Sequence, residues 1–232
     1  DKVKNILSVH GQETDIGKHL IDFLGNPLYL YLYLKVIPYG KLRYPITAEV
    51  LYNELWRIYI TDIDENKITR KSLLDFLDVM TNAMYERQEL SIHQREIESN
   101  YITEMRYMLS VGLLLQTSNG RVQFFHQTMF DYVYARRFVE KGCNLLEKLS
   151  SQHQGLFSRA AVKSILTFLR ETNPTLYIRY IDSLLYDKKD DGSDKFRFHL
   201  KSLALSNMTF FGRPKDEEML LIKRKIYNDS LY

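Results

Sequence analysis

The chain has 232 residues, of which 45% are hydrophobic, 13% aromatic and 26% charged, a balance that supplies enough apolar surface for a folded core and argues against disorder. Its formal net charge is only +3, with both signs mixed along the sequence, so charge gives no general case for a nucleic-acid or membrane partner. A single cysteine, Cys143, excludes an internal disulfide framework and favours a reducing, cytoplasmic location.

The first quarter of the chain carries apolar residues at helical spacing. A helix is predicted over 16–24, after which Asn26 supplies an N-cap and Pro27 a first helical position for the next helix. That segment, 28–37, begins with alternating Leu and Tyr and by period alone is compatible with a strand, but the capping signal favours a helix. It is the longest apolar stretch and reaches about half of the roughly 20 residues that a membrane helix needs. A further helix is predicted over 48–60.

The middle of the chain contains the predicted elements of a winged-helix unit. The dipeptide Asn119-Gly120 predicts a two-residue hairpin turn, because such a turn needs positive φ angles. The predicted elements are helices over 70–87, 96–111 and 126–140, with hairpin strands over 113–116 and 121–125; a short extended piece ends at Ile92.

The C-terminal part is predicted as pairs of helices without further hairpins. The segments beginning at Arg159 and Arg197 open successive pairs about 40 residues apart, near the period of HEAT and armadillo repeats. The predicted fold class is therefore mainly α: a small helical domain over 1–62, a winged-helix domain over 63–142 and HEAT-like helical hairpins over 143–232. The predicted helices are 145–152, 158–171, 175–186, 196–209 and 216–228.

The motifs of common catalytic centres are missing from the sequence. There is no Gly-rich phosphate loop followed by Lys and Ser or Thr, no His-Glu-x-x-His and no Gly-x-Ser-x-Gly. The six His residues are dispersed without ligand spacing, so no metal site is expected. We interpret Cys143 as a core residue at a helix end, and the start at Asp1 as a cut inside a longer protein.

Two motifs, in this order and separation, resemble the signal-transducing NTPases of the STAND class, and most closely the NACHT branch. Gly25, Asn26 and Pro27 resemble the Gly-x-Pro motif that follows the nucleotide domain of that family. The stretch from Phe125 through His126 resembles the aromatic-His start of the family's winged-helix motif, and the likeness spans about residues 15–140.

The resemblance implies that Pro27 packs beside the adenine and that His126 contacts the β-phosphate of bound ADP or ATP, with Gly25 as part of the nucleotide-binding motif. It also implies a lid, a winged helix and the start of a helical-repeat sensor in an oligomerisation switch. The P-loop and the magnesium motif are absent from the chain, so the nucleotide domain would be its missing N-terminal partner. Self-association and a protein ligand at the repeats are the other partners implied.

Plainer interpretations of the same residues stay open. Pro27 is compatible with a simple helix start and His126 with a strand-end histidine bonded to the backbone. Arg136 and Arg137 are candidates for contact with nucleic acid or an acidic neighbour domain, or else for a solvated face.

Two alternative functions also stay open. One is a nucleic-acid-binding winged-helix protein. The helix over 96–111 argues against it, because Glu98 and Glu104 lie beside its basic residue Arg106 and would repel a polyanion. The other is a helical protein-interaction scaffold.

Overall fold

The computed structural model describes residues 2–12, 16–40, 42, 46–151, 155, 157–210 and 214–229, which form a mainly helical fold with a small antiparallel sheet. The chain divides into two compact units. Unit 1 comprises Asp1–Met80 with Ser91–Phe125, and unit 2 comprises Thr81–Leu90 with His126–Tyr232. The predicted domain boundaries, at residues 62 and 142, do not coincide with the limits of these two units. The division into three domains stays a prediction.

Unit 1 begins with short helices, and the ambiguous Leu-Tyr segment is one of them. Helix α3 spans Pro27–Val36 and buries Leu30, Tyr33 and Val36, which recur every three residues along one face. The helical interpretation of the segment is thereby confirmed, whereas the helix α1 near the N-terminus was not predicted from the sequence. The elements are α1 (Lys2–Val9), α2 (Lys18–Leu24), α3 (Pro27–Val36), a 3₁₀ turn (Ile37–Tyr39) and α4 (Ala48–Trp56).

The helix predicted over 48–60 is regular only as far as Trp56. Thr47 caps α4 by accepting a hydrogen bond from the Val50 N–H at 3.3 Å, and the chain continues as a π-helical turn over Arg57–Thr61. The N–H of Asp62 donates to the carbonyl of Arg57 at 2.8 Å and closes this wider turn. The Arg57 guanidinium also holds the Asp62 carboxylate at 2.7 Å, so the turn is pinned by side chain as well as backbone.

A three-stranded antiparallel sheet completes unit 1. Strand β3 lies in the centre, with Ile92 opposite Val122 on one side and Leu114 opposite Phe124 on the other. All four side chains are buried. The extended piece predicted to end at Ile92 is thus the start of a paired edge strand. The elements are α5 (Arg70–Arg87, shared with unit 2), β1 (Ile92–His93), α6 (Arg95–Ser110), β2 (Leu114–Gln116) and β3 (Arg121–Phe124).

The predicted turn between β2 and β3 is wrong in its geometry. An Asn-Gly turn of two residues needs positive φ at both positions, but only Gly120 has one, at 72°. The Gly120 N–H donates to the Thr117 carbonyl at 3.0 Å, and the Thr117 N–H donates to the Arg121 carbonyl at 2.8 Å. The loop therefore has three residues, and its last, Gly120, occupies the left-handed region that glycine adopts at low cost.

Unit 2 consists of helices, with an isolated β-bridge between Lys188 and Asp194. Cys143, predicted as a core residue, is an exposed free thiol, because the chain has already left the preceding helix at that position and turned outward. The helices are α7 (Gln127–Glu140), α8 (Leu145–Ser151), α9 (Phe157–Thr172), α10 (Pro174–Tyr186), α11 (Phe198–Phe210) and α12 (Asp216–Asp229).

A buried polar network holds α9, α10 and α12 together. The Arg170 guanidinium donates two hydrogen bonds to the fully buried Glu218 carboxylate, at 2.7 and 2.9 Å. The Tyr177 hydroxyl donates to the same carboxylate at 2.8 Å. Burial alone would raise the pKa of Glu218, but the hydrogen bonds from Arg170, the Lys215 backbone N–H and Tyr177 outweigh it and lower that pKa.

The helices of the chain are short relative to a bilayer. Among the described residues, no single helix combines the length and hydropathy of a membrane span; α2 and the segment Pro27–Tyr39 reach that composition only as a pair bent by 108°.

Candidate functional site

The Gly-x-Pro motif forms the junction between α2 and α3. The Asn26 side chain accepts a hydrogen bond from the Leu28 N–H at 2.9 Å, and Pro27 occupies the first helical position, where a missing N–H costs nothing. Both Gly25 and Pro27 are exposed. A Cβ at Gly25 would lie only 3.0 Å from the Asp22 carbonyl, so the close approach of the chain at this bend favours glycine.

An aromatic pair fixes the bend. The rings of Phe23, near the end of α2, and Tyr29, in the first turn of α3, stack with centroids 4.6 Å apart and planes 9° apart. Stacked pairs contribute about 0.5–1.5 kcal/mol beyond area burial. Pro27 is therefore presented outward on a rigid corner.

We predict that Asn26→Ala destabilises unit 1 by about 1 kcal/mol, because the substitution removes the side-chain acceptor of the Leu28 N–H in the first turn of α3. Urea unfolding followed by fluorescence of Trp56, the single tryptophan, measures the loss. Asn100→Ala, at an exposed position inside α6, is the matched control and should be neutral or slightly stabilising. Equal losses in the two variants would contradict the capping role.

Lys35 anchors the other end of α3. Its ammonium donates to the Val111 carbonyl at 2.6 Å and lies 5.6 and 5.5 Å from the ring centroids of Tyr31 and Tyr59. A Cβ at Gly112, whose φ is 68°, would approach that ammonium to 3.2 Å. Partial burial lowers the pKa of Lys35. No local sequence pattern indicates this anchor, because Lys35 and Val111 are 76 residues apart.

The aromatic-His motif begins at Phe125, the last residue of unit 1. The Phe125 ring contacts the Tyr31 ring of α3, with centroids 5.3 Å apart. His126 follows Phe125 in the sequence and belongs to unit 2. Gly25 and Pro27 lie together at one corner of unit 1, whereas His126 is the first residue of the second segment of unit 2.

His126 is the N-cap of α7. Its Nδ1 accepts a hydrogen bond from the Thr128 N–H at 3.2 Å and lies 2.8 Å from the Thr128 hydroxyl. The ring is exposed. Because Nδ1 acts as an acceptor, the neutral ring carries its proton on Nε2, which makes Nε2 a hydrogen-bond donor. The predicted backbone bond of a strand-end histidine therefore exists, and it orients the ring and leaves the Nε2 edge available.

Arg136 and Arg137 are largely covered and paired. The Arg136 guanidinium donates to Glu140 and to the Tyr132 hydroxyl, both at 2.8 Å, and lies over the Phe168 ring at 5.8 Å. Arg137 donates to the same Glu140 at 2.7 Å. A nucleic acid or an acidic domain would have to displace Glu140 from both, so an interaction surface at this pair stays a prediction.

Helix α6, which precedes the hairpin, has fewer exposed acidic side chains than its sequence indicates. Glu104 is buried in unit 1 and accepts a hydrogen bond from the Ser72 hydroxyl, whereas Arg106 is exposed. Contrary to the prediction from the sequence, Glu104 does not present its charge to a polyanion, because its carboxylate is buried. Among the described residues, no group of three or more His, Cys, Asp or Glu side chains could hold a metal ion.

Neither a protein-family model nor a curated protein matches this chain.

Proposed function

We propose that this chain is the lid, winged-helix and sensor region of a STAND-type, NACHT-like switch that binds ATP or ADP together with an N-terminal nucleotide domain. The observation that carries the proposal is the hydrogen bond that orients the His126 ring. Its Nδ1 is held by the Thr128 N–H at 3.2 Å, so a neutral ring keeps its donor on the exposed Nε2 edge. A donor of this kind at the start of a helix suits a phosphate oxygen, because the helix N-terminus also attracts anions.

Pro27 supplies the second half of the proposed site. It is exposed at the first position of α3, next to exposed Gly25. A rigid apolar ring held this way can pack against the face of an adenine, while the close packing of Gly25 against Asp22 keeps the corner tight. The stacked Phe23 and Tyr29 rings give the corner a fixed direction.

The arrangement of elements supports the finer fold assignments. In unit 1, helix α5 and strand β1 are followed by α6, which Tyr101 divides into two helical segments, and then by the hairpin β2–β3; helix, strand, helix, helix, strand, strand is the order of a winged helix. In unit 2, α9 and α10, and then α11 and α12, are consecutive helix pairs, as in HEAT-like repeats. We assign the pairs to the start of the sensor, with a protein ligand as its partner.

A switch needs contacts that differ between the ADP and ATP states. The Nε2–H of His126 would donate a hydrogen bond to a terminal oxygen of the β-phosphate in ADP. In ATP the β-phosphate is instead joined to the γ-phosphate through a bridging oxygen. Loss of that bond would free α7 and the helices packed on it to move, and self-association would follow. Magnesium and the phosphate loop would come from the nucleotide domain, and the cytoplasm would supply the nucleotide.

The proposal predicts that this chain belongs to a longer protein, and that protein is used for the test. Its coding sequence should carry a phosphate loop and an acidic magnesium motif upstream of residue 1. The purified protein should retain ADP, and His126→Asn should weaken that retention about 10- to 100-fold, since a hydrogen bond to a charged group contributes about 1.5–3 kcal/mol. Asparagine keeps the N-cap acceptor of α7, so the fold is preserved.

The matched control is His93→Asn, an exposed histidine on β1. This variant should retain nucleotide like the parent protein. A coding sequence without a phosphate loop, or equal ADP retention in the parent and the His126→Asn variant, would refute the proposed function.

A further inference from the structure

The loop between β2 and β3 contains the one asparagine of the chain that is followed by glycine. Asn119 precedes Gly120, whereas each of the other asparagines precedes a larger residue. A backbone nitrogen can attack the side-chain amide of a preceding asparagine, and a glycine leaves that nitrogen uncovered because it has no Cβ. Asn119 is exposed, and no described atom beyond the neighbouring residues lies within 4 Å of a Cβ built on Gly120. Neither reacting group is therefore shielded by surrounding structure.

The backbone of the loop holds the attacking nitrogen in place. The Gly120 N–H donates to the Thr117 carbonyl at 3.0 Å, and the φ angle of Gly120 is 72°. The nitrogen becomes a nucleophile only when it has lost its proton, and a hydrogen bond made by the neutral N–H disfavours the deprotonated form. The bond to Thr117 must therefore open before Gly120 attacks.

The side chain of Thr117 holds the asparagine amide as well. Its hydroxyl donates to the Asn119 Oδ1 atom and accepts from the Arg121 N–H at 3.2 Å. The Thr117 N–H donates to the Arg121 carbonyl at 2.8 Å, which closes the loop at the ends of the two strands. One residue thus restrains both reacting groups, and their release needs only a local opening of the hairpin tip.

A second loop, in unit 2, has the same backbone arrangement with a carboxylate in place of the amide. The Gly192 N–H donates to the Lys189 carbonyl at 2.9 Å, and the φ angle of Gly192 is 78°. Asp191 precedes it and accepts hydrogen bonds from the Ser193 hydroxyl and N–H, which lower the pKa of Asp191. An ionised carboxylate repels a backbone anion and has no group that leaves as a neutral molecule. The pair Asp191-Gly192 should therefore be unreactive at neutral pH.

We propose that Asn119 is a self-modification site, at which the chain converts the asparagine to aspartate and isoaspartate, and that Thr117 sets the rate. The Gly120 nitrogen forms a bond to Cγ of Asn119, and the bond from Cγ to the side-chain nitrogen breaks. That nitrogen takes up the proton lost by Gly120 and leaves as ammonia, which produces a five-membered succinimide. Water then adds across one of the two ring C–N bonds. One opening gives aspartate, and the other gives isoaspartate, in which the main chain runs through the former side chain.

The conversion changes both the charge and the covalent length of the hairpin tip. Either product adds one negative charge at position 119. Isoaspartate also inserts one carbon atom into the main chain before Gly120. The three-residue loop is closed by the bonds between Thr117 and Arg121, so an added main-chain atom should disrupt them and open the end of the hairpin.

The test incubates the folded 232-residue chain at neutral and mildly alkaline pH and follows its tryptic peptides by mass spectrometry. Trypsin cleaves after Arg106 and Arg121, so Asn119 lies in peptide 107–121. This peptide should gain the mass of an amide-to-acid change and separate into aspartate and isoaspartate forms, faster at the higher pH. Asn66, exposed in a turn but followed by Lys67, is the internal control and should stay unconverted over the same time.

Two variants in the loop test the role of Thr117. Thr117→Val keeps the shape of the side chain but removes the hydroxyl, and it should speed conversion roughly 10-fold, the weight of one to two net hydrogen bonds. Ser118→Ala, at an exposed position in the same loop, should convert like the parent chain. If Thr117→Val fails to fold, the parent chain in guanidinium chloride carries the test and should convert about 10- to 100-fold faster than the folded chain.

Three results would overturn the proposal. Conversion of Asn66 as fast as that of Asn119 would remove the special status of the site. An unchanged or slower rate in Thr117→Val, or equal rates in the folded and denatured chains, would remove the restraint by Thr117. The hairpin tip includes neither Pro27 nor His126, so any of these results would leave the proposed nucleotide switch untouched.

Discussion

Replacing Glu218 with Gln should destabilise unit 2 by about 3–5 kcal/mol. Glu218 is fully buried and receives hydrogen bonds from Arg170, Tyr177 and the Lys215 backbone N–H. The amide keeps the shape of the side chain but removes the buried counter-charge of the Arg170 guanidinium, whose remaining ion pair is with the exposed Glu171 at 3.6 Å, and breaking a buried pair in this way costs about that much. Urea unfolding followed by circular dichroism measures the loss.

The pH dependence of stability gives this prediction a second readout. The folded-state pKa of Glu218 lies below its ordinary value, so its contribution is fully present above the ordinary glutamate range near about pH 4.3 and is lost as the pH falls through the lowered pKa. The Glu218→Gln variant should lack this acid-dependent loss. Glu217→Gln, exposed in the same first turn of α12, should change stability by less than about 1 kcal/mol. Equal losses in both variants would contradict the buried-pair account.

Replacing Phe76 with Ala should destabilise unit 1 by about 3–5 kcal/mol. Phe76 is fully buried on α5, and its ring lies 5.9 Å from the Tyr101 ring. Tyr101 is the residue at which α6 departs from helical geometry, with φ −137° and ψ 33°. Truncation leaves a cavity against this kink, and Phe→Ala in a core loses both transfer energy and packing. Trp56 fluorescence during urea unfolding reports the change, because Trp56 is itself buried in unit 1.

Val79→Ala is the control for this truncation. Val79 lies on the same helix, but 43% of its surface is exposed, so little apolar area is lost and alanine is the better helix former. The control should be neutral or slightly stabilising. A loss of less than about 1 kcal/mol for Phe76→Ala would show that the α5–α6 packing does not hold unit 1 together.

Local signals predicted the helical part of the fold well. The segment that follows Asn26 and Pro27 is helical although its Leu and Tyr residues alternate as in a strand. The Asn26 cap satisfies a backbone N–H of the first helical turn and so favours the helix. Helix α5 has the predicted bounds of Arg70–Arg87. The hairpin was predicted from Asn119-Gly120, but its loop is one residue longer, since only Gly120 takes a positive φ.

Long-range pairing was beyond the sequence patterns. Arg170 and Glu218 are 48 residues apart, and neither position stands out from the surface charges around it. Strand β1 has two residues, too few for a period to be detected, and it exists because β3 offers a partner. The candidate site residues Gly25, Pro27 and His126 come from the resemblance and stay a prediction, whereas the Lys35 anchor is visible only in three-dimensional contacts.

The most direct measurement of the central claim is photolabelling, with an ADP analogue that carries an azide on the adenine, of the longer protein that the proposal predicts. Trypsin cleaves after Lys18 and Lys35, so Pro27 lies in the single peptide 19–35. We predict that this peptide carries the label and that excess ADP prevents the labelling. Label on the nucleotide domain alone, with peptide 19–35 unmodified, would contradict the assignment of Pro27 to the adenine site.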